Sequence, residues 1–271
     1  MYRLIATDLD GTLLNAHHQV DPFTIDILRQ LEQQGIEIVI ATGRHYTDVS
    51  GIRDTLGVRA HLITSNGARV HDPDDREVFS ENVPPEFVRR LVTREIADDA
   101  TVNLFGDQDW LINRDAPELL RYHQDSGFSY QVTDLTAHTG DDIAKVLFIG
   151  GVDTLARVEA NLIREFGDSI YVTYSLADCL EVMSPTVSKG RALRVVLDRL
   201  GIEPTHTVAF GDNMNDIDML ETAGQPFMMG NANPLLMQRL PAVPRIGNNF
   251  DAGVALELAR LFDLQGSQSV A

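Results

Sequence analysis

The sequence predicts an α/β protein: a Rossmann-like parallel-sheet core interrupted by an inserted α/β unit. Three observations carry this reading. Apolar, strand-like runs alternate with amphipathic, helix-like segments, the pattern of βαβ units. Four of the runs end in polar residues: LIAT in Asp8, IVIA in Thr42, LITS in Asn66 and TVAF in Gly211–Asp212. The texture changes between two proline-bearing edges, VPPE and SPTVS, which bound an insertion. Residues 1–83 and 187–271 are assigned to the core and 84–186 to the insert.

Leu4 to Thr7 is a short apolar strand. Pro22 to Gln34 is helix-like, with Ile25, Leu28 and Leu31 near helical spacing, Pro22 at its start and Gly35 as its stop. Ile36 to Ala41 is nearly continuous in apolar residues and suits a strand buried on both faces. TGR follows, then a helix to about Leu56 and the strand HLITS. ARVHDPDDREVFSE reads as a hairpin around the turn cluster DPDD. PPEFVRRLVTREI begins a helix. TVNLF and WLINR are strands, a helix is expected near Ala116 to Ser126, and KVLFIGG is a strand. A helix around Leu155 to Phe166 and the strands IYVTYS and CLEVM complete the insert. SKGRALRVVLDRLG is then an amphipathic helix ending at Gly201, HTVAFGD a buried strand, and NDIDMLETAG a helix ending at Gly224. PFMMG, a short helix, VPRIG and a last helix to about Leu264 follow, and the tail QGSQSVA is expected to fray.

Composition narrows the function. The chain has 271 residues, 44% hydrophobic and 23% charged, which suits a soluble protein with a substantial core. No apolar run approaches the roughly 18–20 residues of a membrane span, and MYRLIATDLDG makes a poor signal peptide. One cysteine, Cys179, leaves no internal disulfide framework. These features point to the cytoplasm. The net charge of −18 argues against a nucleic-acid partner, because phosphate contacts call for a basic face. No protein partner is implied.

In an open parallel sheet, ligands bind beyond the carboxyl ends of the strands. That edge would gather Asp8, Asp10 and Asp212, with Asp216 as a further member. Carboxylates so grouped repel one another unless something positive compensates. A hard divalent cation does so, and Mg²⁺ suits two carboxylates plus waters and a substrate phosphate. Other sites fit poorly. DLDGTLLNAHHQ has Gly at position 4 and Gln19 at position 12, which fails the calcium-loop pattern. SKG is the reverse of a P-loop ending, and no G-x-G-x-x-G follows the first strand.

DLDGT at 8–12, TGR at 42–44, SKG around Lys189 and GDNMND at 211–216 resemble, in order, the four motifs of the haloacid dehalogenase-like phosphatases. SNGA at 65–68 and the long insertion are similar to the Cof-type branch with its α/β cap. ATGRH, ITSNGARVHD and CLEVM are similar to the pyridoxal phosphate phosphatases of that branch. The resemblance covers nearly the whole chain, with no departure at the motif positions. It implies a Mg²⁺-dependent phosphatase acting on small phosphomonoesters, pyridoxal 5′-phosphate or sugar phosphates, through an aspartyl-phosphate. Asp8 would be the nucleophile and Asp10 the general acid and base. Mg²⁺ would lie between Asp8, Asp212 and the Asp10 carbonyl. The Leu9 and Gly43 amides, Thr42, Lys189 and Asn215 would hold the phosphoryl group, with Asp216 orienting Lys189 or metal waters. Arg44 and Asn66 would contact substrate. A phosphomutase, which passes the phosphoryl group to a sugar hydroxyl, and a non-catalytic phosphometabolite sensor are the alternatives; a sensor has no use for the Asp10 chemistry.

Each residue also has a plainer reading. Asp8 and Asp10 could shape a turn, Thr42 could cap a helix, and Lys189 could be a solvated helix-start lysine. Asn66–Gly67 is a common turn pair, and Arg44 and His45 could lie on the surface. Trp110 reads as packing of the insert, Cys179 as a small buried hydrophobe, and His17 and His18 as solvent-exposed.

Overall fold

The computed structural model describes residues 1–264. The chain opens with β1 (Leu4–Asp8), α1 (Pro22–Gln33), β2 (Glu37–Ala41), α2 (Tyr46–Leu56), β3 (Ala60–Thr64) and the hairpin strands β4 (Arg69–His71) and β5 (Glu77–Ser80). Next come α3 (Pro85–Leu91), α4 (Arg94–Ala97), β6 (Thr101–Phe105), β7 (Trp110–Ile112), β8 (Gln131–Val132) and β9 (Lys145–Ile149). Then α5 (Val152–Phe166), β10 (Tyr171–Leu176) and β11 (Cys179–Met183) follow. The chain continues through α6 (Lys189–Leu200), β12 (Thr207–Gly211), α7 (Ile217–Thr222), β13 (Gln225–Met228), α8 (Pro234–Arg239) and α9 (Gly253–Phe262).

These elements form two compact units. One comprises Met1–Arg44, Ser50–Phe79 and the residues from Ser188 onward; the other comprises His45–Val49 and Ser80–Val187. Among the described residues, no helix is long and apolar enough to cross a membrane.

The first unit holds a seven-stranded sheet in the order β13-β12-β1-β2-β3-β4-β5. The first five strands run parallel, and β4 turns back antiparallel to β3. Parallel strands are buried on both faces, which is why their sequences show little alternation. Leu4, Ala6, Val39, Ala41 and Ile63 pack with Leu193, Val196 and Leu197 of α6 and with Met219 and Leu220 of α7. The alternate residues Ile5, Ile38, Ile40 and Leu62 are equally buried and point to the opposite face. There α1 packs against both β2 and α9. Register aligns the strand ends: Asp8 lies opposite Ala41, and Thr7 opposite Phe210. Asp8, Thr42 and Asp212 therefore leave the sheet at one edge.

The start of α6 is fixed from two directions. Ser188 caps it, accepting a hydrogen bond from the Arg191 amide at 3.1 Å, and Gly201 closes it in the left-handed conformation at φ 61°. Such caps contribute about 1 kcal/mol each. From the other side, Gly67 at φ +107° backs so closely onto the Ser188 carbonyl that a Cβ there would collide with backbone. Glycine is required at that spot both for its dihedral and for the close approach.

The second unit has a six-stranded sheet, β10-β11-β9-β6-β7-β8, antiparallel except between β7 and β8. One face, with Val102, Leu104, Val146, Phe148, Leu180 and Val182, packs on Leu155, Val158 and Leu162 of α5. The other carries Phe105, Trp110 and Ile112, covered by Ala116, Leu119 and Phe128. Trp110 is core, and its indole N–H donates to Asn103 Oδ1 at 2.8 Å.

Two helical expectations change. The helix expected near Ala116 to Ser126 is a short 3₁₀ segment, Pro117–Tyr122. Ala116, just before this turn, and Leu119 within it pack on the sheet together with Phe128 farther along the chain, anchors that do not lie on one helix face. The run PPEFVRRLVTREI breaks into α3 and α4. At the break, the Thr93 hydroxyl donates to the Arg90 carbonyl at 2.8 Å and Thr93 itself is extended, the local competition that disfavours Thr inside helices. The tail QGSQSVA lies outside the described residues.

Gly67→Ala is expected to cost roughly 1–3 kcal/mol, the usual scale for a side chain forced into a strained backbone region. Urea unfolding of the variant checks it; a loss below about 0.5 kcal/mol would mean that the 65–67 turn and the start of α6 move apart freely.

Candidate active site

Lys189 is the centre of the site. It is fully buried at the first turn of α6, and its Nζ lies 2.5 Å from Asp8 Oδ1 and 2.6 Å from Asp216 Oδ1. An ammonium without water needs such partners, and the two carboxylates supply them. The second oxygen of Asp216 accepts from the Asp212 and Asn213 amides, each at 2.9 Å. Asn213 and Asp216 form a reciprocal capping box on this turn. Asp216 thus ties the lysine to the loop after β12.

Asp212 follows β12, its carboxylate close to that of Asp8, and Thr12 Oγ1 donates to Asp212 Oδ1 at 2.9 Å. Asp8, Asp212 and Asp216 offer oxygens within 4.8 Å of one another. Gly11, at φ +83°, lets the loop 9–12 lie against Asp212, where a Cβ would strike the carboxylate. Burial holds the Asp8 carboxyl well above the ordinary range. Lys189 pulls it down, while Asp216 and Asp212 add to the rise. Burial, with help from Asp216, pushes Asp212 up to about 6, against the hydrogen bonds of Thr12 and Asp8 and the charge of Lys189. Burial disfavours the charge on Lys189, but Asp216 and Asp8 outweigh it and raise its pKa.

Three carboxylates face one ammonium, so two negative charges remain uncompensated when all are ionised. Carboxylates grouped this closely call for a proton or a cation between them. The donors are hard oxygens, and Asp216 has both oxygens engaged, which leaves Asp8 and Asp212 as the carboxylates able to serve a metal. That set fits Mg²⁺, which takes one or two carboxylates and keeps several waters.

A second network lies at the ends of β2 and β3. The Thr42 amide donates to Ile63 O at 2.8 Å, the Asn66 amide to Thr42 O at 3.0 Å and the Ser65 amide to Arg44 O at 2.8 Å. Ser65, Asn66 and Gly67 all have positive φ, at 49°, 58° and 107°. Ser65 and Asn66 in succession at positive φ are costly, and strain of this kind collects at functional sites. Buried Asn66 accepts from Asn215 Nδ2 at 2.9 Å, and its side chain fills the space where a Cβ on Gly43 would sit, 2.9 Å from Oδ1.

The structure therefore brings together Asp8, Lys189, Asp212 and Asp216, and separately joins Thr42, Gly43, Asn66 and Asn215. Leu9 is buried behind Asp8, with its carbonyl accepting from the Leu14 amide at 2.9 Å. Asp10 departs from expectation. Its carboxylate is not in the acid cluster: Arg44 grips it with Nε at 2.7 Å and Nη2 at 2.5 Å. The polar edge of the loop carries Asp10 away from Asp8, and the Arg44 guanidinium neutralises it there. Sequence reasoning missed this pair and the role of Thr12, although Thr12 completes the DLDGT motif. It also left His45 open; His45 is buried, with Nε2 3.0 Å from Gly106 O and its ring stacked 4.3 Å from Phe128. His18 is exposed, with Nδ1 3.6 Å from Asp10 Oδ1. Cys179 is only half-buried, not fully buried as expected, and burial, with Asp178 beside it, pushes its thiol up to about 12.

A family model described as haloacid dehalogenase-like hydrolase matches residues 5–258. A Haemophilus influenzae protein is 42% identical over 266 residues, covering 97% of this chain and 98% of its own length. An HMP-PP phosphatase of Cronobacter sakazakii is 37% identical over 263 residues, 97% of each chain. The structure of a haloacid dehalogenase-like hydrolase from B. subtilis is similar with a TM-score of 0.82 at 28% identity, covering 96% of this chain and 99% of that one.

Lys189→Met should destabilise the metal-free protein by about 3–5 kcal/mol, the scale for removing one partner of a buried ion pair. Urea unfolding in the presence of a chelator measures this; a loss under about 1 kcal/mol would show that the carboxylates do not depend on the ammonium.

Proposed function

The chain belongs to the haloacid dehalogenase-like hydrolases and is a phosphatase, and from that premise we propose that it hydrolyses small phosphomonoesters through a phosphorylated Asp8. The observation that carries this reading is the buried Lys189 set between Asp8 and Asp216, with the Asp212 carboxylate against Asp8.

An Asp8 carboxylate oxygen attacks phosphorus, and the bond from phosphorus to the ester oxygen breaks. Asp10 gives the departing oxygen a proton and then takes one from the water that attacks the acyl phosphate. Inorganic phosphate leaves and Asp8 is restored. Phosphoryl transfer has little bonding for a protein to make, so holding and neutralising the equatorial oxygens does most of the catalysis. The Leu9 and Gly43 amides, the Thr42 hydroxyl, Asn215 and Lys189 serve that purpose, and Asp216 keeps Lys189 in place. Asp8, Asp212 and the Asp10 carbonyl would hold Mg²⁺, which supplies charge neutralisation and orientation of the phosphoryl group when bound.

The grip on the phosphate end treats phosphomonoesters alike, so selectivity falls to residues that meet the leaving group. On this reading the second unit is a cap that provides them. One well-used contact is worth roughly 1–3 kcal/mol, or 10–200-fold, which gives preference without exclusivity. Pyridoxal 5′-phosphate is proposed among the better substrates from the likeness of ITSNGARVHD and CLEVM. HMP-PP, named for the relatives, and hexose phosphates complete the set to be compared.

Phosphate release across such a panel decides substrate class. Several substrates within about a hundredfold in kcat/KM are expected; no release from pyridoxal 5′-phosphate beside good turnover of sugar phosphates would remove the pyridoxal assignment and leave the chemistry standing. Asp8→Asn is expected to fold and to lose turnover, and near wild-type activity in that variant would refute the covalent route. Exhaustive chelation should abolish activity and Mg²⁺ restore it, with Ca²⁺ a poor substitute because its larger, looser coordination misplaces an in-line attack. Full activity in the chelated protein would count against the metal.

A further inference from the structure

We infer that Arg44 acts on Asp10, as the residue that positions the general acid, and not on the substrate. This rests on the phosphatase reading above. Asp10 sits in the loop after β1, and its side chain is 41% exposed. A short carboxylate there would otherwise rotate freely, and a proton donor must be held in register with the departing oxygen to be effective. Arg44 supplies that restraint. Nε donates to Asp10 Oδ2 at 2.7 Å and Nη2 to Oδ1 at 2.5 Å, a two-armed grip that fixes the plane of the carboxylate.

The grip is itself anchored. The Arg44 amide donates to Thr42 Oγ1 at 3.1 Å, and the Arg44 carbonyl accepts from the Ser65 amide at 2.8 Å. Both neighbours belong to the network at the ends of β2 and β3, so the fork projects from a backbone tied to two strand ends of the sheet that carries Asp8. The guanidinium consumes one lone-pair site on each Asp10 oxygen. A carboxylate has about four such sites, so others remain for exchange with the departing oxygen. His18 also lies near the carboxylate, with Nδ1 3.6 Å from Asp10 Oδ1, but its side chain is 71% exposed and gives no comparable restraint. Two of the guanidinium's nitrogens are committed to Asp10, which argues against Arg44 as a primary substrate contact. Lysine could not replace it, because an ammonium is a single point donor and cannot fix a carboxylate plane.

The test compares two phosphomonoesters that differ in their need for an acid. The glycerol of glycerol 2-phosphate departs as an alkoxide unless protonated; the 4-nitrophenolate of 4-nitrophenyl phosphate departs readily without help. In Arg44→Met, single-turnover release of the alcohol, which reads only the step Asp10 assists as an acid, should slow about 100-fold for glycerol 2-phosphate, near the low end of what a general acid contributes. For 4-nitrophenyl phosphate that release should slow less than about tenfold, with KM for both within about threefold. Arg44→Lys should lie between Met and wild type on glycerol 2-phosphate, and it provides a charged, less disruptive variant should Arg44→Met fold poorly. An equal loss on both substrates in both variants overturns the inference and makes Arg44 merely structural. A raised KM on both with kcat preserved overturns it in favour of a substrate contact. If the wild-type protein releases phosphate from neither ester, the phosphatase reading fails and this inference falls with it; wild-type turnover with an unselective loss removes this inference alone.

Discussion

A lysine ammonium buried without water has to be paid for by carboxylates, and much of the first unit's active edge is arranged around that demand. Lys189 is fully buried, with Asp8 and Asp216 within 2.6 Å. Breaking a buried pair by removing one partner leaves an uncompensated charge, which costs far more than the pair's net contribution. Asp8 at the end of β1, Lys189 at the start of α6 and Asp216 after β12 are therefore coupled. Each element's placement is a condition for the others. In the proposed reaction the same coupling would hold the attacking carboxylate and the cation that meets the phosphoryl group in contact before substrate arrives.

The cluster is under-compensated by design. Asp212 leans on Asp8, and both carboxyls are held above their ordinary range chiefly by burial. On the proposed function that surplus of negative charge is what a divalent cation would balance. Thr12 and Gly11 make the close approach possible, one by donating to Asp212 and the other by offering no side chain to obstruct it.

Beside this charged centre lies a neutral one. Ser65, Asn66 and Gly67 hold an improbable run of positive φ, supported by the Arg44 carbonyl, the Thr42 carbonyl and Asn215. It links three strand ends without any charge of its own. Gly67 then passes the arrangement on to the Ser188 cap and so to Lys189. The second unit contains separate cores on the two faces of its sheet.

Much of this was legible in the sequence, for a physical reason. Parallel strands buried on both faces must be apolar, so β1, β2, β3 and β12 stand out, and the residues at their ends follow directly. Four short motifs at those ends named Asp8, Asp10, Thr42, Lys189, Asp212 and Asp216. CLEVM and TVNLF were legible as strands because alternation leaves a clear mark. The 116–126 segment was misread as a helix because Ala116 and Leu119 alone have helical spacing, while the packing of Phe128 on the same sheet face is a tertiary contact that local spacing does not show. What the sequence by itself determined was the identity of the groups at the strand ends. Only the tertiary structure decided how they pair: Lys189 with Asp8 and Asp216, Asn215 with Asn66, and Asp10 with Arg44, 34 residues away along the chain. Pairing across such separations depends on loop conformation and on which charges are buried together, and neither is encoded in local composition.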